Sequence, residues 1–309
     1  MNKIIIIGHK NPDTDSVISA IALQEYFEKG LGKNAKAYRA GMLNNETKFI
    51  LEKWGVEVPD LFEAGMQADS VALVDHNEIS QIADGVEYAN VDYIFDHHKL
   101  AVATEKPIFV RTEVIGSTSS LAAKMFFEKN LVPSEATAKL LLSGILSDTL
   151  NFTSPTVTDE DKMLAEKLNE IAKLNVEEYV TEMFKAKSSL EGISTEEITT
   201  LDYKEFEMGS KKVGIGTWET TLPETVNEKK DEIFQILCER KVTDKLDYIF
   251  FMVVDIIKGN CQMYIIGDEE KSLAEKVFAA QATGGIISLP GVVSRKKQIV
   301  PPLMEELSR

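Results

Sequence analysis

The chain has 309 residues, 44% apolar and 27% charged, the balance of a globular protein with room for two domains. Its formal charge of −16 and isoelectric point near 4.8 argue against a general nucleic-acid binder, which needs a basic face. An anionic substrate stays open, because bound metal ions and a local basic cluster reverse the field inside a cleft.

Ile4 to Ile7 form a β-branched run closed by Gly8 and read as a buried parallel strand. Met1-Asn2-Lys3 ahead of it is too short a lead for a signal peptide, and the run is too short for a membrane span. Cys238 and Cys261 stand alone without CxxC spacing, so the expected setting is a reducing one, the cytoplasm. A helix is predicted from Ser16 to Lys29, with Val17, Ile18, Ile21, Ala22 and Leu23 on its apolar face. Strands follow at Ala35 to Ala40, Ser70 to Asp75, Val91 to Asp96 and Ile108 to Thr112, with a helix from Glu46 to Trp54. Strands alternating with helices predict a parallel sheet covered on both faces. Beyond Gly116 four helices are expected, at Ser117 to Lys129, Glu135 to Ser147, Asp159 to Leu174 and Val176 to Ala186.

The polar stretch around Lys187 to Ser194 is the linker candidate. The expected architecture is α/β in two domains. Residues 1–187 form a metal-binding domain on a parallel sheet, 188–195 a linker, and 196–309 a smaller α/β domain on a mixed sheet. In the second domain, strands are predicted at Lys212 to Thr217, Tyr248 to Val254 and Gln262 to Ile266, and helices at Val226 to Glu239 and Lys271 to Ala279. No internal repeat or low-complexity tract is present.

All four histidines lie in the first 98 residues, and each stands in or beside an aspartate motif. His9 opens His9-Lys10-Asn11-Pro12-Asp13-Thr14-Asp15. Asp75-His76 ends one apolar run and Asp96-His97-His98 another. Imidazole with carboxylate suits divalent first-row metals, and several carboxylates sharing few nitrogens point to its harder members and to more than one ion. Ligands in open α/β sheets gather beyond the carboxyl ends of strands, which is where these residues are predicted to fall. The competing reading of Asp13 or Asp15 is a helix cap. A helix needs one cap, and three polar groups at this spacing exceed that. Asp75 alone would pass as a turn former. His97 and His98, if extended, point to opposite sides and do different jobs, with Asp96 placed to orient a ring. Asp148 closes a predicted helix, an unfavourable end for a carboxylate, and that placement hints at function.

Two further segments carry alternatives. Gly116-Ser117-Thr118-Ser119-Ser120 precedes a helix and offers either a phosphate cradle or a plain serine cap, of which the cap is preferred. Ser294-Arg295-Lys296-Lys297 is the only dense basic cluster in the chain.

Taken together, His9-x-Asn11-Pro12-Asp13-x-Asp15, Asp75-His76-Asn77-Glu78, Asp96-His97-His98 and Ser294-Arg295-Lys296-Lys297 resemble the family II inorganic pyrophosphatases of the DHH phosphoesterase superfamily. The resemblance spans essentially the whole chain. It implies a cytoplasmic, homodimeric hydrolase that cleaves pyrophosphate with two manganese or cobalt ions per subunit and magnesium arriving with the substrate. It implies metal ligands at His9, Asp13, Asp15, Asp75, His97 and Asp148, with Asp75 bridging. It also implies substrate-facing roles for His98, Lys204, Arg295 and Lys296, dimerisation through the N-terminal domain, and neither a nucleic-acid nor a membrane partner. The second domain would be of the DHHA2 type, and the two domains would close on the substrate. A nuclease-type relative would carry a histidine after a glycine-rich stretch in the second domain, and Thr283-Gly284-Gly285 has none following. A non-enzymatic metal- or phosphate-binding regulator would have no need of a water-activating pair of ions.

Overall fold

The structure, a computed structural model, describes residues 3–66 and 70–308. Met1 and Asn2, expected to be too short a lead for a signal peptide, lie outside them. The chain divides into two compact units, Met1–Ala186 and Lys187–Arg309.

The first unit is built on a six-stranded parallel sheet. Its strands are β1 (Ile4–Ile7), β2 (Ala35–Arg39), β3 (Asp60–Leu61), β4 (Val71–Val74), β5 (Val91–Asp96) and β6 (Phe109–Thr112), in spatial order β3-β2-β1-β4-β5-β6. Every residue of β1 and β4 is buried, as expected of strands covered on both faces. Ile5 lies between Lys36 of β2 and Val71 of β4. The chain runs outward from β1 through β2 to β3, then returns to lay β4 on the other side of β1. That reversal opens a crevice at the carboxyl ends of β1 and β4, the place where doubly wound sheets bind ligands.

The helices of this unit are α1 (Thr14–Glu25), α2 (Asn45–Lys53), α3 (Thr118–Glu128), α4 (Glu135–Asp148), α5 (Asp159–Ala172) and α6 (Val176–Lys187). From Leu140 to Ser147 α4 is buried on every side, and it packs against α1, α3 and α5. The predicted first helix begins two residues earlier than expected and passes into a wide turn over Tyr26–Gly30. The short β3 carries no run of apolar residues and was not predicted.

The second unit holds a mixed sheet. After α7 (Thr195–Thr200) come β7 (Tyr203–Met208), β8 (Lys211–Thr220), β9 (Tyr248–Asp255), β10 (Asn260–Ile265) and β11 (Ile286–Pro290), in order β11-β10-β9-β8-β7. Only the β8–β9 pair is parallel. One face packs Phe250, Met252, Val254, Leu273 and Leu303, and the other Ile233, Leu237, Phe251 and Tyr264. The single helix predicted over 226–239 is instead two, α8 (Pro223–Asn227) and α9 (Lys230–Thr243). Pro223 sits in the first turn of α8, where its missing N–H costs nothing. α10 (Asp268–Phe278) begins three residues before the predicted start, and α11 (Val300–Leu307) follows a wide turn at Arg295–Ile299. Segments of the expected linker belong to this unit. Ser188 is buried and accepts from Thr220 Oγ1 and the Thr221 amide, while Leu190 and Ile193 pack against its core.

Candidate metal centre

β1 ends at Ile7 and delivers His9 to the crevice. Gly8 is required there, because a Cβ would lie 1.9 Å from the Ser16 hydroxyl that accepts the His9 amide. His9 Nδ1 donates to the Lys10 carbonyl at 2.8 Å, which turns Nε2 toward Asp13 Oδ2 at 3.6 Å and Asp75 Oδ2 at 3.5 Å. Asp13 is both cap and candidate ligand: Oδ1 accepts from the Ser16 amide at 2.9 Å while Oδ2 faces His9. The two readings of the motif are thus compatible, one oxygen for each.

Asp15 lies in the first turn of α1 and is buried. Its carboxylate accepts from the Thr118 amide at 2.7 Å and the Ser119 amide at 2.9 Å, and the Ser19 hydroxyl lies 3.3 Å away. The N-terminus of α3 therefore does hold an anion, and the anion is Asp15. The expected serine cap is also present, as Ser117 accepts from the Ser120 amide. Gly144 in α4 permits this approach, since a Cβ there would lie 2.0 Å from Ser119 Oγ and 3.2 Å from Asp15. A mid-helix glycine costs about 1 kcal/mol relative to alanine, so its place in α4 is a packing requirement.

Asp75 follows β4 with a left-handed backbone, φ 63°. Its amide donates to the Phe95 carbonyl and its Oδ1 accepts from the Thr118 hydroxyl. His97, just past β5, donates from Nδ1 to the Ile115 carbonyl at 3.0 Å. Its Nε2 then stands 3.5 Å from Asp75 Oδ1 and 3.4 Å from Asp148 Oδ2. Asp148 is the last residue of α4.

Among the described residues three trios bring ligand atoms within 4.8 Å of one another: His9 with Asp13 and Asp75, Asp15 with His97 and Asp148, and Asp75 with His97 and His98. Asp75 is common to two of them. All six residues expected to ligate metal are thereby brought together from four separate stretches of chain.

The electrostatics fit a polycationic guest. Burial, and then the charge of Asp15, raises Asp75 well above the usual carboxylate range, and burial likewise raises Asp15. Burial disfavours a charged His9, yet the Asp13 and Asp75 carboxylates outweigh it and push it up to about 11. Four carboxylates crowded this way are stable together only with compensating positive charge, which two divalent cations would match.

His98 takes a different environment from His97, as expected, but the two rings do not diverge. β5 stops at Asp96, the chain bends, and the ring centroids lie 4.2 Å apart. Extended geometry, on which opposite directions depended, ends one residue too early. His98 Nδ1 donates to Asp96 Oδ1 at 2.9 Å, and this bond raises its pKa. Burial alone would raise Asp96, but hydrogen bonds from His98 and Asn77 hold it below the usual range. His9, Asp13, Asp75, Asp96, His98 and the exposed Lys99 line one cleft of about 410 Å³.

In the second unit Lys204 is exposed on β7 and Lys296 is exposed in the turn before α11. Arg295 is buried, with Nη1 donating to the Asp202 and Ile215 carbonyls and Nη2 to Asp202 Oδ1 at 2.6 Å. Part of its fork is thus committed to holding the start of β7, two residues from Lys204. Residues that sequence reasoning passed over are Thr118 and Ser119 as holders of Asp15 and Asp75, and Asp161, which accepts from the Gly116 amide and Ser120 hydroxyl and fixes the same loop.

Comparison with known proteins agrees with the two-domain fold. Residues 3–145 match the DHH family N-terminal domain and residues 181–306 the DHHA2 domain. The manganese-dependent inorganic pyrophosphatase of Methanocaldococcus jannaschii is 40% identical, over 96% of this chain and 97% of its own. That of Bacillus subtilis is 39% identical over the full length of both chains. A solved structure from Methanococcus jannaschii, assigned to the family II inorganic pyrophosphatases, superposes with a TM-score of 0.64 over 99% of this chain and all of that one, at 39% identity. An exopolyphosphatase-related protein from Bacteroides fragilis shares the fold, with a TM-score of 0.52 at 16% identity over 99% of this chain and 92% of that one.

Proposed function

The chain belongs to the family II inorganic pyrophosphatases, and we propose that it cleaves pyrophosphate at a two-ion centre held by His9, Asp13, Asp15, Asp75, His97 and Asp148. It is a manganese-dependent hydrolase of the phosphoric anhydride bond, yielding two orthophosphates. The observation that carries the two-ion reading is Asp75, buried, with Oδ2 facing His9 of the His9–Asp13–Asp75 trio and Oδ1 facing His97 of the Asp15–His97–Asp148 trio. His9, Asp13, Asp15, Asp75, His97 and Asp148 would hold divalent ions, which when bound would supply Lewis acidity and lower the pKa of water toward neutrality. Manganese fits the mixed carboxylate and imidazole donor set, cobalt is the alternative, and magnesium enters with the substrate.

The chain's own residues do the rest. Hydrogen bonds to the Lys10 and Ile115 carbonyls hold His9 and His97 with Nε2 directed at the carboxylates. His98, whose protonated form the Asp96 hydrogen bond favours, is placed as a proton donor for the leaving phosphate. Lys204, Arg295 and Lys296 contribute positive charge toward the phosphate oxygens, Arg295 through what its bonds to Asp202 leave open. We further assign the protein to the cytoplasm as a homodimer through its first unit, both on the family resemblance. Among the described residues no helix is long and apolar enough to cross a membrane.

The test is phosphate release from pyrophosphate with manganese, set against release from a dinucleotide and from tripolyphosphate. Rapid release from pyrophosphate and little from the dinucleotide is expected. Comparable turnover of the dinucleotide would overturn the substrate assignment.

A further inference from the structure

α2 contributes no ligand, yet it sends a carboxylate into the interior behind the metal centre. Glu46 lies in its first turn and is 1% exposed. Its Oε2 accepts from the Thr14 hydroxyl at 2.9 Å and from the Ser147 hydroxyl at 2.7 Å, two residues 32 and 101 positions away in sequence. Thr14 stands between Asp13 and Asp15, and Ser147 immediately precedes Asp148. One oxygen therefore joins the start of α1 to the end of α4, the two places from which Asp15 and Asp148 reach toward the same imidazole. We propose that Glu46 is a positioning residue that sets the spacing of Asp15 and Asp148, and so the affinity of the ion they share with His97.

The chemistry favours this role. Both hydroxyls donate to the same carboxylate oxygen, so the direction of each bond is fixed. Left to itself, a serine in the last turn of a helix bonds back to its own helix, which fixes nothing outside it. Thr14 Oγ1 also meets Thr47 Oγ1 at 3.0 Å, and Asn44 caps α2 through the Thr47 amide at 2.7 Å, so the clamp itself is held from α2. Groups that orient metal ligands from behind typically change metal affinity about 10- to 100-fold when removed.

This inference rests on the two-ion reading, and the experiment separates the two. Metal-free full-length protein is titrated with manganese, following bound ion by electron paramagnetic resonance and calorimetry, for wild type, Glu46→Leu, Glu46→Gln and Ser147→Ala. Thermal unfolding of each metal-free variant checks the fold. The expected result is two ions in wild type, with one binding constant lowered about 10- to 100-fold in Glu46→Leu and in the same sense in Ser147→Ala, and the other constant unchanged. Glu46→Gln should restore most of the loss, since one amide oxygen can accept from both hydroxyls. The double variant Glu46→Leu/Ser147→Ala should be no weaker than Glu46→Leu, because both changes break one clamp. A single ion in wild type would overturn the two-ion reading and the clamp with it. Two ions bound as tightly by folded variants as by wild type would overturn the clamp alone. Should Glu46→Leu not fold, Ser147→Ala decides, as it removes one hydroxyl and leaves the buried carboxylate in place.

Discussion

The Thr118 hydroxyl donates to Asp75 Oδ1 at 2.8 Å while the Thr118 amide donates to Asp15 at 2.7 Å. One residue at the N-terminus of α3 thus orients carboxylates that arrive from β4 and from α1. Thr118→Val keeps the amide and the volume but loses the hydroxyl. Manganese affinity should fall about 10- to 100-fold. Stability of the metal-free protein should fall by no more than about 1–3 kcal/mol, the cost of leaving a buried acceptor short of one donor. Manganese titration and thermal unfolding measure the two separately, and an unchanged affinity would remove Thr118 from the site.

Asp75→Asn is expected to be the most damaging single ligand change. Asparagine tolerates the left-handed backbone at φ 63° as aspartate does, so the fold should survive. What is lost is the negative charge common to two ligand trios. Metal content by atomic absorption should drop and turnover with it, further than for Asp13→Asn, whose residue serves one trio. Equal activity of the two variants would deny Asp75 its shared role.

Stability should depend on pH in opposite senses with and without metal. In the metal-free protein Asp15 and Asp75 are raised, so above the ordinary carboxylate range the folded state holds protons that the unfolded chain releases. His9 is raised as well. Its contribution is complete below about 6.5 and is lost as pH rises through about 11. Both effects make the metal-free protein less stable as pH rises. With manganese present protons compete with the ion, so the added stability should shrink as pH falls. Calorimetric melting from pH 7 to 9, where buried His76 is largely neutral in both folded and unfolded states, with chelator and with manganese, should give slopes of opposite sign. Parallel slopes would mean that the carboxylates do not hold the ion.

The convergence of the proposed ligands was legible in the sequence because each of His9, Asp75 and His97 follows an apolar strand, and strand ends in a doubly wound sheet converge by topology. Asp148 had only its awkward place at a helix end to mark it, and the family resemblance supplied the rest. The supporting groups were hidden for a physical reason. Ser117, Thr118 and Ser119 have the local sequence of any serine-capped helix, and Glu46 that of any acidic first turn. Only the packing of α3 and α2 against α1 and α4 turns them toward the centre. In the second unit β7 was missed because Lys204, Glu205 and Glu207 interrupt its apolar pattern, as fits an edge strand. The start of α8 depends on Pro223, which serves as a first-turn residue.

Lys296 and Arg295 are adjacent but should fail differently. Lys296 is exposed, so Lys296→Ala should leave stability within about 0.5 kcal/mol of wild type. Its activity should drop by up to two or three orders of magnitude if it stabilises charge in the transition state. Arg295→Ala should lose activity and also stability, because the Asp202 and Ile215 carbonyls lose a buried donor. Equal melting temperatures for the two variants would contradict the buried fork.

Truncation after Lys187 tests the division of labour between the units. Every proposed metal ligand, from His9 to Asp148, precedes that point, and so do Thr118, Ser119 and Glu46, which hold the ligands in place. The first unit is compact, with its own covered sheet and a central helix buried from Leu140 to Ser147. It should therefore keep its fold and bind manganese. Lys204, Arg295 and Lys296 all lie beyond the cut. Removal of one donor of transition-state charge stabilisation typically costs about two to three orders of magnitude in rate, and the truncation removes three cations together. Manganese binding with pyrophosphate hydrolysis near background is the expected pair of results. A truncated protein that binds manganese and still turns over pyrophosphate near the full rate would show that the second unit's cations take no part in the reaction.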